Sequence, residues 1–275
     1  MSLDSKSLSK IISSHYLDLS KLKFKSEEPL SERSFQKRLD KLLESYGSYG
    51  YLAYILLRNV QVKRITKYDE GYVLYSPIDE KIDEDVIEKI FGDSPRYKEI
   101  EDSIDMYAKN GKLYLPQRLT GHTTEEAEID VLVIARGYDG KLFLYNIELK
   151  GGLMKNENDE RYIEAHLQLF RSTDVLINAL LETEIISKDS EFYTFSILYS
   201  SDWYKTIYLF VHKNGDLHAY YVNNKDRSIK YQIPLNGSEM KKYAYYKKGD
   251  FEDSMKKRRI IPYLLGKNKI IRNIK

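Results

Sequence analysis

Residues 126 to 152 read EAEIDVLVIARGYDGKLFLYNIELKGG, and the reading of this stretch decides the fold. Two apolar runs, Ile129 to Ala135 and Leu142 to Leu149, flank Arg136-Gly137-Tyr138-Asp139-Gly140-Lys141. An Asp-Gly step between β-branched and aromatic runs is a strong hairpin signal, so two antiparallel strands are expected. Strand side chains alternate between faces, which sends Glu148 and Lys150 one way and Ile147 and Leu149 the other. A carboxylate and an ammonium therefore leave the end of an apolar strand together. Upstream, Asp130 interrupts a run of Ile, Val and Leu, and a charge inside such a strand is costly unless it is paired or metal-bound. Asp130, Glu148 and Lys150 are expected to converge at one edge of a small sheet.

Asp130, seventeen intervening residues and then Glu148-Leu149-Lys150 resemble the PD-(D/E)XK nuclease superfamily, whose E-x-K commonly ends a strand as IELKGG does here. Ile129 stands where the family name has proline. The resemblance covers roughly residues 95 to 200. It implies an α/β fold: a restriction-endonuclease-like αβββαβ core with a mixed sheet flanked by helices, here with an N-terminal helical region and a C-terminal β-meander.

The resemblance also implies phosphodiester hydrolysis. That chemistry needs an activated water, stabilisation of charge on the phosphate and help for the leaving oxygen, all of which a hard divalent cation supplies through oxygen ligands. Asp130 and Glu148 are the implied ligands of Mg²⁺ or Mn²⁺, with the main-chain carbonyl of Leu149. Lys150 is implied to orient or deprotonate the water and to hold the phosphate as a point charge. The plain alternative is that Glu148 and Lys150 form a solvated edge-strand pair worth roughly 0 to 1 kcal/mol. All three groups are expected near solvent, so substitutions there should hardly change folding.

The flanking chain is read outward from this centre. Residues 1 to 94 are expected to form a mostly helical region: an early helix, a helix over residues 35 to 46 and a helical or mixed segment from Tyr51 to Val62. A short strand at Tyr72 to Tyr75 and a solvated acidic helix at Glu84 to Phe91 follow. Residues 95 to 206 are assigned to the nuclease-like core. Its first helix places Tyr97, Ile100, Ile104 and Ala108 at helical spacing, and Lys112 to Leu119 is its first strand, leading to the Asp130 strand.

In the family an acid on the first helix often assists the metal. Glu101 is one turn from Ile104 and Tyr97 and is the main candidate, with Glu99 beside it; Glu32 replaces them if residues 35 to 46 are the first helix and everything between is an insertion. The crossover helix spans Tyr162 to Leu181, with Ala165, Leu169, Thr173, Leu176 and Leu180 on its apolar face. Gln168 matches a glutamine that approaches the active site in several family branches, whereas Arg171 departs from the aromatic residue often found there. His166 reads as structural. Phe192 to Tyr199 completes the core as a strand, and residues 207 to 275 hold a β-meander and a basic tail.

Composition excludes several classes. The chain has 275 residues, long enough for a sizeable core, and no cysteine, so disulfides, thiolate zinc sites and a cysteine nucleophile are ruled out. No apolar run reaches the ~18 residues of a membrane span, and the N-terminal residues lack a signal-peptide core, so an intracellular protein is expected. Residues 241 to 275 hold twelve Lys/Arg against three Asp/Glu, so the net +2 of the chain divides into +9 there and −7 in residues 1 to 240. That basic segment suits a phosphate backbone, with DNA the expected partner and RNA left open. A homodimer is also left open, because cutting both strands of a duplex needs two sites. A non-catalytic nucleic-acid-binding or assembly protein with the same sheet, and an unrelated α/β protein with surface charges, are the competing readings.

Overall fold

A computed structural model of the chain describes residues 5–15, 41, 51–65, 71–75, 83–98, 100, 112–116, 126–150, 160–182, 184–200, 205–222 and 228–233. The elements are α1 (Ser5–His15), β1 (Tyr51–Ile65), β2 (Gly71–Tyr75), α2 (Glu84–Phe91), β3 (Lys112–Pro116), β4 (Glu126–Gly137), β5 (Leu142–Lys150), α3 (Glu160–Glu182), β6 (Phe192–Ser200), β7 (Lys205–Lys213), β8 (Asp216–Val222) and β9 (Ile229–Ile233). The strands form one mixed sheet in the order β3-β2-β1-β4-β5-β6-β7-β8-β9. Every neighbouring pair is antiparallel except β5 and β6, which run parallel, with α3 between them in the chain.

The hairpin that organises the sheet forms as its sequence dictates. Val131 pairs with Ile147 and Arg136 with Leu142, and the turn closes through Gly137 N–H donating to Lys141 O at 2.9 Å. Gly140 takes the left-handed conformation, φ 77°, that lets so short a connection reverse the chain. Asp139 Oδ1 accepts from Lys141 N at 3.2 Å and locks the turn.

Both sheet faces are covered, which explains why β4 and β5 read as continuous apolar runs rather than alternating ones. On one face Leu132, Ile134, Leu142 and Leu144 pack under α2 and α3, joined by Leu169, Leu176 and Ile90. On the other, Val131, Val133, Phe143, Tyr145 and Ile147 pack with Leu8, Ile11 and Ile12 of α1. The end of α1 is pinned: Tyr145 donates to His15 O at 2.6 Å, the Tyr51 and Tyr145 hydroxyls hydrogen-bond to each other, and the His15 ring stacks on Phe143 with centroids 3.8 Å apart. These hydroxyls satisfy a carbonyl that a helix end otherwise leaves without a partner. Arg136 does the same for α2, donating through Nε to Ile90 O at 3.0 Å.

Two expectations are corrected. Tyr51 to Val62, read as helical or mixed, lies within a 15-residue strand, and with β2 it gives the N-terminal region two sheet strands. Lys112–Pro116 is a strand as expected, but it lies at the far edge beside β2; the neighbour of β4 is β1. In chain order the three adjacent strands before the crossover are therefore β1, β4 and β5, with β2, α2 and β3 inserted between the first two. The strands expected at Phe192 to Tyr199 and in the following meander are present, and the meander extends the same sheet. The expected helix at 35 to 46, apart from Lys41, and the basic tail lie outside the described residues; of the expected helix between Pro95 and Asn110 only 95–98 and 100 are described. No described helix is long and apolar enough to cross a membrane.

Candidate functional site

The C-terminal end of β5 brings the three expected groups together. Ile147 and Leu149 are buried on the α1 side, so Glu148 emerges on the α3 side, two residues beyond Asn146. Glu148 is 4% exposed, and Lys150, on the same face, reaches back so that Nζ lies 2.6 Å from Glu148 Oε1. The β4–β5 ladder ends at Val131 and Ile147, and one step further Asp130 comes level with Glu148. There the Asp130 side chain replaces a main-chain partner: Oδ2 accepts from Leu149 N–H at 2.6 Å. Because the N–H and C=O of one strand residue project toward the same neighbour, the Leu149 carbonyl is also aimed at the Asp130 side.

The electrostatics of this corner are unfavourable to two bare carboxylates. Burial above all, and then the negative charge of Asp130, push the Glu148 pKa up to about 7 from its ordinary 4.5, and the Lys150 ammonium offsets only part of this. Glu128 adds to the repulsion, so the acids around Glu148 outnumber the one amine. That is the environment in which a hard divalent cation is stabilised, and a Mg²⁺ ion bound by one or two carboxylates and completed by waters fits this donor set. Among the described residues no group of three or more His, Cys, Asp or Glu side chains is placed to hold a metal ion, so such an ion would rest on these two carboxylates, main-chain oxygen and water.

The burial of Glu148 corrects the expectation that all three groups lie near solvent. It is buried on a strand whose two faces are both covered, so its substitution has consequences for folding as well as for chemistry. Lys150, with a side chain 27% exposed, carries the pair toward solvent.

The supporting residues are distributed differently. Gln168 is on α3 and exposed, adjacent to Leu169, whose carbonyl accepts from Asn146 at 3.4 Å; it makes no hydrogen bond to Asp130, Glu148 or Lys150. Arg171 is also exposed on α3. Glu101, Glu99 and Glu32 lie outside the described residues, as does the side chain of His166.

A buried polar cluster behind Glu148 was not anticipated from the sequence. Asn146 is fully buried and donates to Ser172 Oγ at 2.7 Å and Thr173 Oγ1 at 2.9 Å, and Thr173 hydrogen-bonds to Ser196 on β6 at 2.7 Å. These bonds fix β5, β6 and α3 against one another just behind the carboxylates. Its sequence signal was a lone Asn in the middle of LFLYNIELK, a residue type depleted from strand interiors.

No family model matches the chain, and neither a curated protein nor a solved structure matches it.

Proposed function

We propose that this protein is a metal-dependent nuclease that hydrolyses phosphodiester bonds in DNA. One observation carries the reading: Asp130, Glu148 and Lys150, from two adjacent strands where their ladder ends, meet at one corner with the Glu148 carboxyl destabilised as an anion. Asp130, Glu148 and the Leu149 carbonyl would hold Mg²⁺ or Mn²⁺, which supplies Lewis acidity and a water of lowered pKa.

The chain's own groups do the rest. Lys150 is held within 2.6 Å of Glu148, beside the acids, and its ammonium is placed to neutralise a phosphate oxygen or to orient the attacking water. Asp130 fixes the main chain at Leu149 and so holds the carbonyl and the two flanking side chains in one orientation. The Asn146 cluster keeps the strand from sliding beneath α3, which limits the loss of geometry that displacements of ~1 Å produce. Gln168 and an acid from the preceding helix would contact substrate or metal-bound water from the sides.

A second reading, nucleic-acid binding without cutting, is favoured by the closed Glu148–Lys150 pair, which already neutralises the amine. Incubation of supercoiled plasmid with Mg²⁺ or Mn²⁺ separates the two. Nicked or linear product from wild type, abolished in both Glu148→Ala and Lys150→Ala, supports the nuclease. Metal-dependent cleavage that survives both substitutions rejects the assignment, and salt-sensitive DNA binding with no product leaves the binding reading in its place.

A further inference from the structure

At the opposite end of β5, roughly 20 Å from Glu148 along the strand, a cavity of about 600 Å³ opens between α1, the 137–141 turn and the ends of β6 and β7. That volume suits a small organic ligand. Its polar lining is arranged in two parts. Glu191 gathers Lys213 Nζ at 2.7 Å, Lys141 Nζ at 3.3 Å and the Tyr193 hydroxyl around one carboxylate. Burial works to raise the Glu191 pKa, but the hydrogen bonds from Lys213 and Tyr193 and the charge of Lys141 outweigh it and keep the group ionised. Lys141 also sits over the Tyr193 ring, 5.6 Å from its centroid.

The second part comes from α1. Ser7, Lys10 and Ser14 recur at helical spacing along the cavity wall, and Lys10 forms no ion pair among the described residues. His15 closes the end of that wall, its ring stacked on Phe143, and burial lowers its pKa so that it is neutral at pH 7. Three ammonium groups thus face two carboxylates, Asp139 and Glu191, which leaves the Lys10 charge in excess. At the mouth Tyr138 is 69% exposed, an aromatic face offered to solvent.

We propose that this cavity binds a small aromatic phosphate monoester of mononucleotide size, with the phosphate drawn by Lys10 and the Lys141–Lys213 cluster and the ring lying on Tyr138. Among the described lining residues the cations are all lysines, compact point charges of the kind that bind phosphate groups. The site is separate from the carboxylate corner and stands whether or not that corner cuts DNA.

Isothermal titration of the full chain with adenosine 5′-monophosphate, with inorganic phosphate as competitor and adenosine as the uncharged control, tests this. The expected result is saturable binding of the monophosphate, competition by phosphate, no binding of adenosine alone, and affinity at least about tenfold weaker in Lys10→Glu. Glu148→Gln, at the other end of the strand, should bind as wild type does. Lys10 is exposed, so the variant should melt as wild type does. No saturable binding, binding unaffected by phosphate or by Lys10→Glu, or equal binding of adenosine would overturn the proposal.

Discussion

Replacing Glu148 with glutamine should make the metal-free protein progressively more stable relative to wild type as pH rises from about 4.5 to about 7. The raised pKa means that folding discourages ionisation: between the unfolded value of 4.5 and the folded value of about 7 the unfolded chain releases the proton first. The stability contributed by the neutral carboxyl is present in full below pH 4.5, falls as pH rises through that window, and is gone above about 7. The interval of about 2.5 pK units corresponds to about 3 kcal/mol, of which roughly 2 to 3 kcal/mol is lost between pH 5 and pH 8. Glutamine keeps the shape and cannot ionise. Any constant cost, such as leaving Lys150 without its carboxylate, cancels when the variant is compared with wild type at both pH values. Urea unfolding of both proteins in chelator at pH 5 and pH 8 reads the difference directly. The variant should gain roughly 2 kcal/mol on wild type across that interval. An unchanged difference would mean that Glu148 ionises freely in the folded state, and the picture of two carboxylates crowded in a buried corner would be wrong. Adding Mn²⁺ at pH 8 should then raise wild-type stability and close the gap, since a ligand that binds only the folded state stabilises it by about 2.7 kcal/mol at a hundredfold excess over Kd.

Two further substitutions probe the supports. Asp130→Asn retains an oxygen for Leu149 N–H but removes the second cause of the Glu148 shift, so a carboxyl NMR titration should find the Glu148 pKa lower than in wild type; an unchanged value would show that the two acids are not coupled. Phe143→Ala removes a fully buried ring stacked on both His15 and Tyr193, and should cost about 3 to 5 kcal/mol in denaturant unfolding while exposing α1 to protease; a loss confined to global stability would show that the His15 stack does not hold the helix.

The centre of the sheet was readable because its signals are local. The Asp139-Gly140 turn, the apolar runs beside it and the parity of Glu148 and Lys150 depend on residues close in sequence, and each follows from strand geometry alone. The level of Asp130 with Glu148 followed from the same hairpin. The N-terminal half was harder. Tyr51-Leu-Ala-Tyr-Ile-Leu-Leu is apolar on both strand faces, as a doubly covered strand is, and at 15 residues the segment is longer than ordinary strands, so periodicity and length both mimicked a helix. The position of Lys112–Pro116 is a nonlocal fact: five residues of strand carry no mark of which partner they will take, and pairing with β2 places them away from β4. The burial of Glu148 was also hidden, because what packs over a strand end is not carried by the local pattern. Asn146 carried a local signal, a polar residue inside an apolar strand, but its buried cluster depends on α3 and β6 and was not anticipated.

The most direct test of the central claim is a crystal of the full chain soaked in Mn²⁺ and measured for anomalous scattering. A peak is expected at ordinary metal–oxygen distance, ~2.1 to 2.2 Å, from carboxylate oxygens of both Asp130 and Glu148, with the Leu149 carbonyl completing the protein ligands. A peak elsewhere, or none beside those two side chains at saturating Mn²⁺, would contradict it.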